Sequence, residues 1–145
     1  MIHRIDIRPR DGFEDPHAAS VLHHVRELGF NSVTGVKSAR LFFLAGDLNE
    51  ADARRVAQEL LIDPVVEQYE LAGAAQAQGV IEVHLKPGVM DPVASSTEQA
   101  IRDMGLAISS VRTARRYEFA GEIDDEARGV IARRLLANGV IEDVH

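Results

Sequence analysis

Apolar and polar residues alternate at the start of the chain and then change to a helical spacing. Residues 2–8 alternate through Ile5 and Ile7, which is the period of a half-buried strand. Asp15-Pro16 predicts a helix start, because Asp can accept hydrogen bonds from the first-turn amides and Pro needs no N–H there. Gly29 ends this helix. Its apolar stripe consists of Ala18, Val21, Leu22, Val25 and Leu28.

Two short strands are predicted next. Residues 33–37 and 41–45 have strand-like composition, with a turn expected near Ser38 and Ala39. Gly46 closes this pair of strands.

A second helix and a last strand complete the first half. Asn49 caps the helix, and Asp63-Pro64 ends it, because Pro disfavours a helical residue before it. Residues 65–71 form the last strand. The stripe of the second helix consists of Ala53, Val56, Ala57, Leu60 and Leu61. The order strand, helix, strand, strand, helix, strand is the split βαβ or ferredoxin-like pattern.

The second half of the chain repeats the first. The residues that match at an offset of 76 are Asp15-Pro16 with Asp91-Pro92 and Leu28-Gly29 with Met104-Gly105. The residues that match at an offset of 75 include Gly46-Asp47-Leu48 with Gly121-Glu122-Ile123 and Leu60-Leu61 with Leu135-Leu136. Collinear matches over a whole half predict an internal duplication. Residues 1–71 are then the first repeat, 72–79 the linker and 80–145 the second repeat.

The second repeat differs mainly in its first helix. Thr97 and Glu98 stand in the places of Val21 and Leu22, so this helix is expected to be less deeply buried or to face a polar partner. Its second helix is capped by Asp124. The predicted fold class is α+β: two ferredoxin-like βαββαβ units, each an antiparallel four-stranded sheet with two helices, forming an internal pseudo-dimer.

Composition narrows the possible functions. The 145 residues carry a net charge of −7, which argues against general attraction to nucleic acid or anionic lipid. No apolar run approaches the roughly 18 residues of a membrane span. The chain has no Cys, which excludes disulfides and thiol catalysis and fits a cytoplasmic protein.

Little in the sequence favours an enzyme. No Cys or paired carboxylate completes a metal site with His17, His23 and His24, and surface positions are favoured for them. His3 and His84 lie in first strands without an obvious acid partner in sequence, so a non-catalytic role is favoured for both. Lys86-Pro87-Gly88 before Asp91-Pro92 is a weak phosphate-binding pattern and is interpreted as a turn. No catalytic, cofactor-binding or metal-binding residue is predicted.

Basic residues provide the main candidate for a partner interface, since Arg suits planar contacts with proteins. The candidate interface residues are Lys86, Arg112, Arg115, Arg116, Lys37 and Arg40. The residues expected to fix turns and helix ends are Asp15, Pro16, Gly29, Gly46, Gly88, Asp91, Pro92, Gly105 and Gly121.

Three stretches of the second half carry a family resemblance. The sequences LKPGVMDP, VRTARRYEF and LLANGVIED resemble PurS, the small non-catalytic subunit of phosphoribosylformylglycinamidine synthase. The first half keeps Gly12, Asp15-Pro16, Leu28-Gly29 and Leu60-Leu61, but has Ile62-Asp63-Pro64 where the family has Ala-Asn-Gly. The tandem arrangement is similar to the PurS-like N-terminal domain of longer synthetase chains.

The resemblance implies a structural role in de novo purine biosynthesis. Such a subunit or domain would bridge a glutaminase and an ATP-dependent synthetase and help to enclose ammonia transfer between them. The partner catalytic parts would use ATP, Mg and glutamine, and this chain would bind no cofactor. Self-association is also compatible with the family.

Two other classes of function stay open at this point. One is a tandem ferredoxin-like small-molecule-binding regulatory domain, with an effector between the copies. The other is a ferredoxin-like enzyme that uses His84 or His3. The sequence also leaves open whether the chain is free-standing or the first domain of a longer synthetase, and which surface meets a partner.

Overall fold

The computed structural model describes residues 2–71, 79–86, 88–136 and 142–144. The elements of the first half are β1 (Ile2–Pro9), α1 (Pro16–Glu27), β2 (Val33–Asp47), α2 (Glu50–Val56) and β3 (Glu67–Leu71). The elements of the second half are β4 (Val80–Leu85), α3 (Pro92–Asp103), β5 (Ala107–Gly121), α4 (Asp125–Ile131) and β6 (Glu142–Val144). Most of the predicted linker, residues 72–78, lies outside the described residues, as does the whole Ala-Asn-Gly-Val-Ile stretch, 137–141.

The helix boundaries follow the predicted signals. Asp15 and Asp91 cap α1 and α3, and a Pro occupies the first helical position of each. Gly29 and Gly105 follow the two helix ends with φ values of 98° and 84°, in the left-handed region that a residue with a β-carbon disfavours. These predicted starts and ends are confirmed.

The predicted turn near Ser38 and Ala39 is wrong. β2 runs without interruption for 15 residues, and so does β5 in the second half. Ser38 directs its backbone N–H and its hydroxyl to the carboxylate of Asp15, so the polar side chain is satisfied without a turn. No Gly or Pro is present at this place to break the strand.

The last strand of the first half also begins later than the predicted residue 65. Val65 and its neighbours form a turn, and β3 begins at Glu67. α2 and α4 each continue as a π-helical turn, Ala57–Leu61 and Ala132–Leu136. A π turn adds a residue and rotates the following side chains. In the first of these turns Leu61 is buried while Leu60 is exposed.

The chain forms two compact units, and each unit takes elements from both halves. The first unit contains β1, β2 from Arg40 onward, α2, β3, α3 and β5 up to Ala114. The second unit contains α1, β2 up to Ala39, β4, β5 from Arg115 onward, α4 and β6. The first helices are therefore exchanged between the two copies. The boundaries predicted above, 1–71, 72–79 and 80–145, describe the copies in the sequence and stay a prediction.

In the first unit the strands follow the order β3-β1-β2-β5. β1 pairs antiparallel with β2, from Ile2 opposite Ala45 to Ile7 opposite Arg40, and antiparallel with β3 on its other side. Its core joins the sheet to α2 and to α3 of the second copy. The core residues are Ile5, Ile7, Phe42, Leu44, Leu48, Val56, Ala57, Leu61, Ala94, Ile101, Ile108 and Val111.

In the second unit the strands follow the order β2-β5-β4-β6. β4 and β6 are antiparallel, with Val83 opposite Val144. α1 of the first copy supplies Val21 and Val25 to this core. The remaining core residues are Val33, Ile81, Val83, Tyr117, Phe119, Ile123, Ile131, Ala132 and Leu136.

The predicted fold class, α+β with two ferredoxin-like units of four strands and two helices, is confirmed at the level of each unit. The expected shallow burial of α3 is wrong. Ala94, Thr97 and Ile101 are buried at the positions that match the buried Ala18, Val21 and Val25 of α1. Thr97 is β-branched like Val21, and it takes the matching buried position.

Candidate functional site

Two of the predicted interface arginines make equivalent contacts, each within its own unit. In the first unit the Arg40 guanidinium donates to the Leu61 carbonyl at 3.3 Å and to the Glu67 carboxylate at 2.9 Å. In the second unit Arg115 donates to the Leu136 carbonyl at 2.9 Å and also to Glu142. Each arginine thus ties the end of a π turn to the last strand of its copy. This is a bracing role.

Arg116 is buried. Its side chain forms an ion pair with Glu82 of β4 at 2.7 Å and a second, at 3.2 Å, with Glu118. Arg116 and Glu82 are only 1% and 4% exposed. A buried charge is tolerated when it is paired and hydrogen-bonded, as it is here.

Arg112 lies on the surface of the first unit, where its guanidinium carbon is 5.8 Å from the ring centre of Phe43. Arg4 approaches the same ring at 5.8 Å and forms an ion pair with the buried Asp6. Such contacts between Arg and an aromatic ring are worth about 0.5–1 kcal/mol at exposed sites. Arg112 therefore keeps an exposed charge beside an aromatic side chain.

Lys37 is exposed on β2, and Lys86 is partly exposed after β4. Gly88 follows with a φ of 85°, whereas Pro87 lies outside the described residues. The two lysines belong to the same compact unit as Arg115 and Arg116, and Arg40 and Arg112 belong to the other. The interface role of this set of cations stays a prediction.

Asp15 and Asp91 each do more than cap a helix. One oxygen of each carboxylate accepts from the helix amide of Ala18 or Ala94 at 3.0 Å. The other oxygen accepts a hydroxyl hydrogen bond at 2.6 Å, from Ser38 in the second unit or from Thr113 in the first. The sequence indicated the cap but not this second bond. The alignment of Ser38 with Thr113 in the two copies, both with a hydroxyl group, is the sequence feature that could have indicated this bond.

Gly46 and Gly121 occupy equivalent places where strands approach closely. A β-carbon on Gly46 would overlap the carbonyl oxygen of Ala107, and one on Gly121 would overlap that of Ser32. Only glycine therefore fits between the neighbouring backbones at these two positions.

The histidines have partners that the sequence did not indicate. His84 lies 3.1 Å from the carboxylate of Glu82, two residues away on the same face of β4. The interpretation that it lacked an acid partner is wrong, because side chains at i and i+2 of a strand are neighbours. His3 contacts the Leu48 carbonyl at 2.8 Å, and His17 contacts the Tyr117 hydroxyl at 2.8 Å.

Tyr117 has an altered acidity. Its side chain is buried, and this burial raises the pKa of Tyr117 above the ordinary value of about 10, because the phenolate would lose hydration. The charge of Arg115 acts in the opposite direction.

Among the described residues, no three His, Asp or Glu side chains are grouped to hold a metal ion. No helix in the described parts of the chain is long and apolar enough to span a membrane.

Each unit also has a concave surface. In the first unit a cavity of about 950 Å³ is lined by residues of β1, α2 and β3, including His3, Arg54 and Tyr69. In the second unit a groove of about 770 Å³ lies between the turn before β2 and the start of α4. Its lining combines apolar side chains with three carboxylates. The residues are Phe30, Ser32, Gly121, Glu122, Ile123, Asp124, Glu126, Ala127 and Val130.

These features define a class of protein, a duplicated ferredoxin-like α+β chain. Matching aspartates and arginines stabilise each of its two units from within. Comparison with known proteins then identifies the family. The family model described as PurS, phosphoribosylformylglycinamidine (FGAM) synthase, matches the sequence twice, at residues 2–74 and at residues 78–145. The chain belongs to the PurS family and contains two copies of the PurS sequence.

Individual relatives match one copy. The phosphoribosylformylglycinamidine synthase subunit PurS of Mycobacterium leprae is 37% identical over 70 residues, which are 46% of this chain and 89% of that protein. A crystal structure of PurS from Methanocaldococcus jannaschii has a TM-score of 0.46 and 23% identity, over 48% of this chain and 90% of that one. A PurS structure from B. subtilis has a TM-score of 0.45 and 18% identity, over 48% of this chain and 92% of that one.

Proposed function

We propose that this chain is a non-catalytic, bridging part of phosphoribosylformylglycinamidine synthase, either as a subunit or as a domain of a longer synthetase. The observation that carries the proposal is the consecutive match of the PurS model to both halves of the chain. The M. leprae relative is named as a subunit of that synthase, and it corresponds to one copy of the duplication.

The internal contacts support a bracing role. Arg40 and Arg115 are engaged with carbonyl and carboxylate groups of their own units, and Arg116 is buried in an ion-pair network. Side chains that are held in this way lose little further entropy when a partner binds. A preorganised surface is what a bridge between two enzymes requires.

The chemistry of the synthase gives a physical reason for such a bridge. Ammonia released by a glutaminase would be protonated and lost in bulk water, so the two active sites have to be held together and sheltered from solvent. In this proposal the catalytic parts bind glutamine, ATP and Mg, and the chain acts with them in the cytoplasm. The chain itself contributes by holding the two active sites in position and sheltering the path between them from solvent.

Complex formation tests this function. The chain is mixed with the glutaminase and with a synthetase that lacks a PurS-like part, and the mixture is analysed by size-exclusion chromatography with light scattering. We expect a complex that contains all three proteins and that does not form when the chain is omitted. Separate elution of the folded chain in the presence of both enzymes and their substrates would contradict the proposal.

A further inference from the structure

The acidic groove of the second unit is a defined surface with an apolar floor. We define it by its floor of Phe30, Ile123, Ala127 and Val130 and by its rim of Glu122, Asp124 and Glu126. Ile123 is buried, and the other three floor residues are half-buried. The rim carboxylates are exposed, so the groove presents negative charge around an apolar surface.

Backbone contacts fix the walls of the acidic groove. The Ser32 hydroxyl donates to the Glu122 carbonyl at 2.8 Å, across 90 residues of sequence. Gly121 lies against the Ser32 backbone so closely that no β-carbon would fit. The two walls are therefore held together by contacts within the chain, which lowers the entropic cost of binding.

The charge of the rim is not neutralised from within the described part of the chain. Asp124 accepts from the Ala127 amide at 2.7 Å as a helix cap, whereas neither Glu122 nor Glu126 has an ion pair among the described residues. The basic residue of the same helix, Arg128, directs its guanidinium to the Val80 carbonyl. An incoming cation would thus meet two carboxylates without losing an existing pair.

The first copy lacks this combination of residues. By the offsets of the repeat, Val130 corresponds to Arg55, Glu126 to Ala51 and Glu122 to Asp47. Arg55 forms an ion pair with Glu59 at 2.6 Å. The first copy therefore has a cation where the second has the apolar side chain of Val130, and an Ala where the second has Glu126, so one occupant per chain is expected.

We infer that the acidic groove docks a cationic, partly apolar segment of a partner protein, in which Arg or Lys side chains alternate with aliphatic ones. The aliphatic side chains pack on Phe30 and Val130, and the cations pair with Glu122 and Glu126. The charge complementarity gives orientation and association rate, and the buried apolar area gives affinity. The inference goes beyond the proposed function and rests on it only for the identity of the partner.

A peptide titration tests the groove without any synthase component. The probe is a synthetic eight-residue peptide of alternating Arg and Leu, added to the full chain and followed by amide chemical shifts in NMR. We expect saturable shifts confined to the groove, with one peptide bound per chain, and no such shifts with a Glu-Leu peptide. Absence of saturable shifts, or equal shifts with both peptides, would overturn the inference.

Matched variants make the titration specific. Glu122→Gln/Glu126→Gln removes two rim charges but leaves the Asp124 cap, and Val130→Arg copies the residue of the first copy. Both should weaken peptide binding by at least about fivefold. The control Asp11→Asn/Glu14→Gln removes the same charge from other exposed positions and should not change binding. Circular dichroism confirms that all variants are folded.

The same variants identify the partner. In the three-protein complex, Glu122→Gln/Glu126→Gln should raise the dissociation constant by a similar factor and reduce its dependence on salt. Unchanged affinity of the complex would exclude the acidic groove as its docking surface. If the wild-type chain forms no complex, the proposed function fails, and the peptide titration still decides whether the groove binds a cationic segment.

Discussion

The carboxylate of Asp15 joins the start of α1 to Ser38 in the middle of β2, with a hydroxyl hydrogen bond of 2.6 Å across 23 residues of sequence. The other oxygen of the same carboxylate caps the helix at Ala18. Asp91 and Thr113 repeat this arrangement in the other unit. The Asp-Pro pair therefore fixes both the start of a helix and its position on a strand.

Replacing Asp15 tests the double role. Asp15→Ala removes the cap and leaves the Ser38 hydroxyl without its acceptor, so the free energy of unfolding should fall by about 2–3 kcal/mol. Asp124→Ala is the control, because among the described residues this carboxylate accepts only the cap bond from the Ala127 amide, and its loss should cost about 1 kcal/mol. Urea denaturation measures both values. Equal losses would show that the Ser38 bond adds nothing.

Replacing Arg116 tests the buried ion pair. Leu41 stands in the matching place of the first copy, so Arg116→Leu introduces a side chain that the equivalent position accepts. It leaves Glu82 buried without its 2.7 Å partner, and the free energy of unfolding should fall by about 3–5 kcal/mol.

The matched control for Arg116 is Arg112→Leu, since Arg112 is exposed and its guanidinium lies beside the ring of Phe43. Its effect should stay below about 1 kcal/mol. The double variant Arg116→Leu/Glu82→Gln should regain part of the loss, because neither charge of this buried pair is left. A loss no larger for Arg116→Leu than for Arg112→Leu would contradict the buried pair.

Tyr117 makes stability fall at alkaline pH. Because its pKa is raised in the folded state, the native protein keeps the phenolic proton at pH values where the unfolded chain loses it. The stabilisation is fully present below the unfolded pKa of about 10 and is lost as pH rises from there towards the folded pKa. Tyr117→Phe should therefore reduce the difference in unfolding free energy between pH 9 and pH 11. Identical pH profiles for the variant and the wild type would contradict this.

The exchanged helices predict how the two halves depend on each other. A fragment of residues 1–74 lacks the Ala94 and Ile101 that α3 supplies to the first core, and it also lacks the β5 residues Ile108 and Val111. Expressed alone, it should not unfold cooperatively as a monomer. Adding the fragment 75–145 should produce a 1:1 complex with the circular dichroism of the intact chain.

Thermal unfolding and light scattering check the fragment experiment. The intact chain, cleaved at an introduced protease site between Ala74 and Ala75, serves as the control and should stay associated. A sharp thermal transition for monomeric 1–74 would show that one copy folds without the helix of the other.

The sequence predicted the features that depend on local chemistry. Side-chain capping predicted that α1 and α3 start after Asp15 and Asp91, and the backbone freedom of glycine predicted that they end before Gly29 and Gly105. The period of the apolar residues predicted the α+β class. These signals act within a few residues, so they can be interpreted without the fold.

The rest depended on contacts across the fold. A polar residue such as Ser38 is compatible with a turn or a strand, and its distant partner Asp15 decides between them. An amphipathic helix needs an apolar surface but does not specify which copy provides it, so the exchange of α1 and α3 was not predicted. The pairing of Arg116 with Glu82 required the neighbouring strand, whereas His84 with Glu82 could have been found from strand period alone.

The most direct test of the bridging role compares two sources of nitrogen. Formation of formylglycinamidine ribonucleotide is measured with the glutaminase and a synthetase lacking a PurS-like part, once with glutamine and once with a high concentration of ammonium salt, with and without this chain. A bridge should raise the glutamine-dependent rate strongly and leave the ammonium-dependent rate nearly unchanged. No increase with glutamine, in a mixture where both enzymes are separately active, would contradict the account.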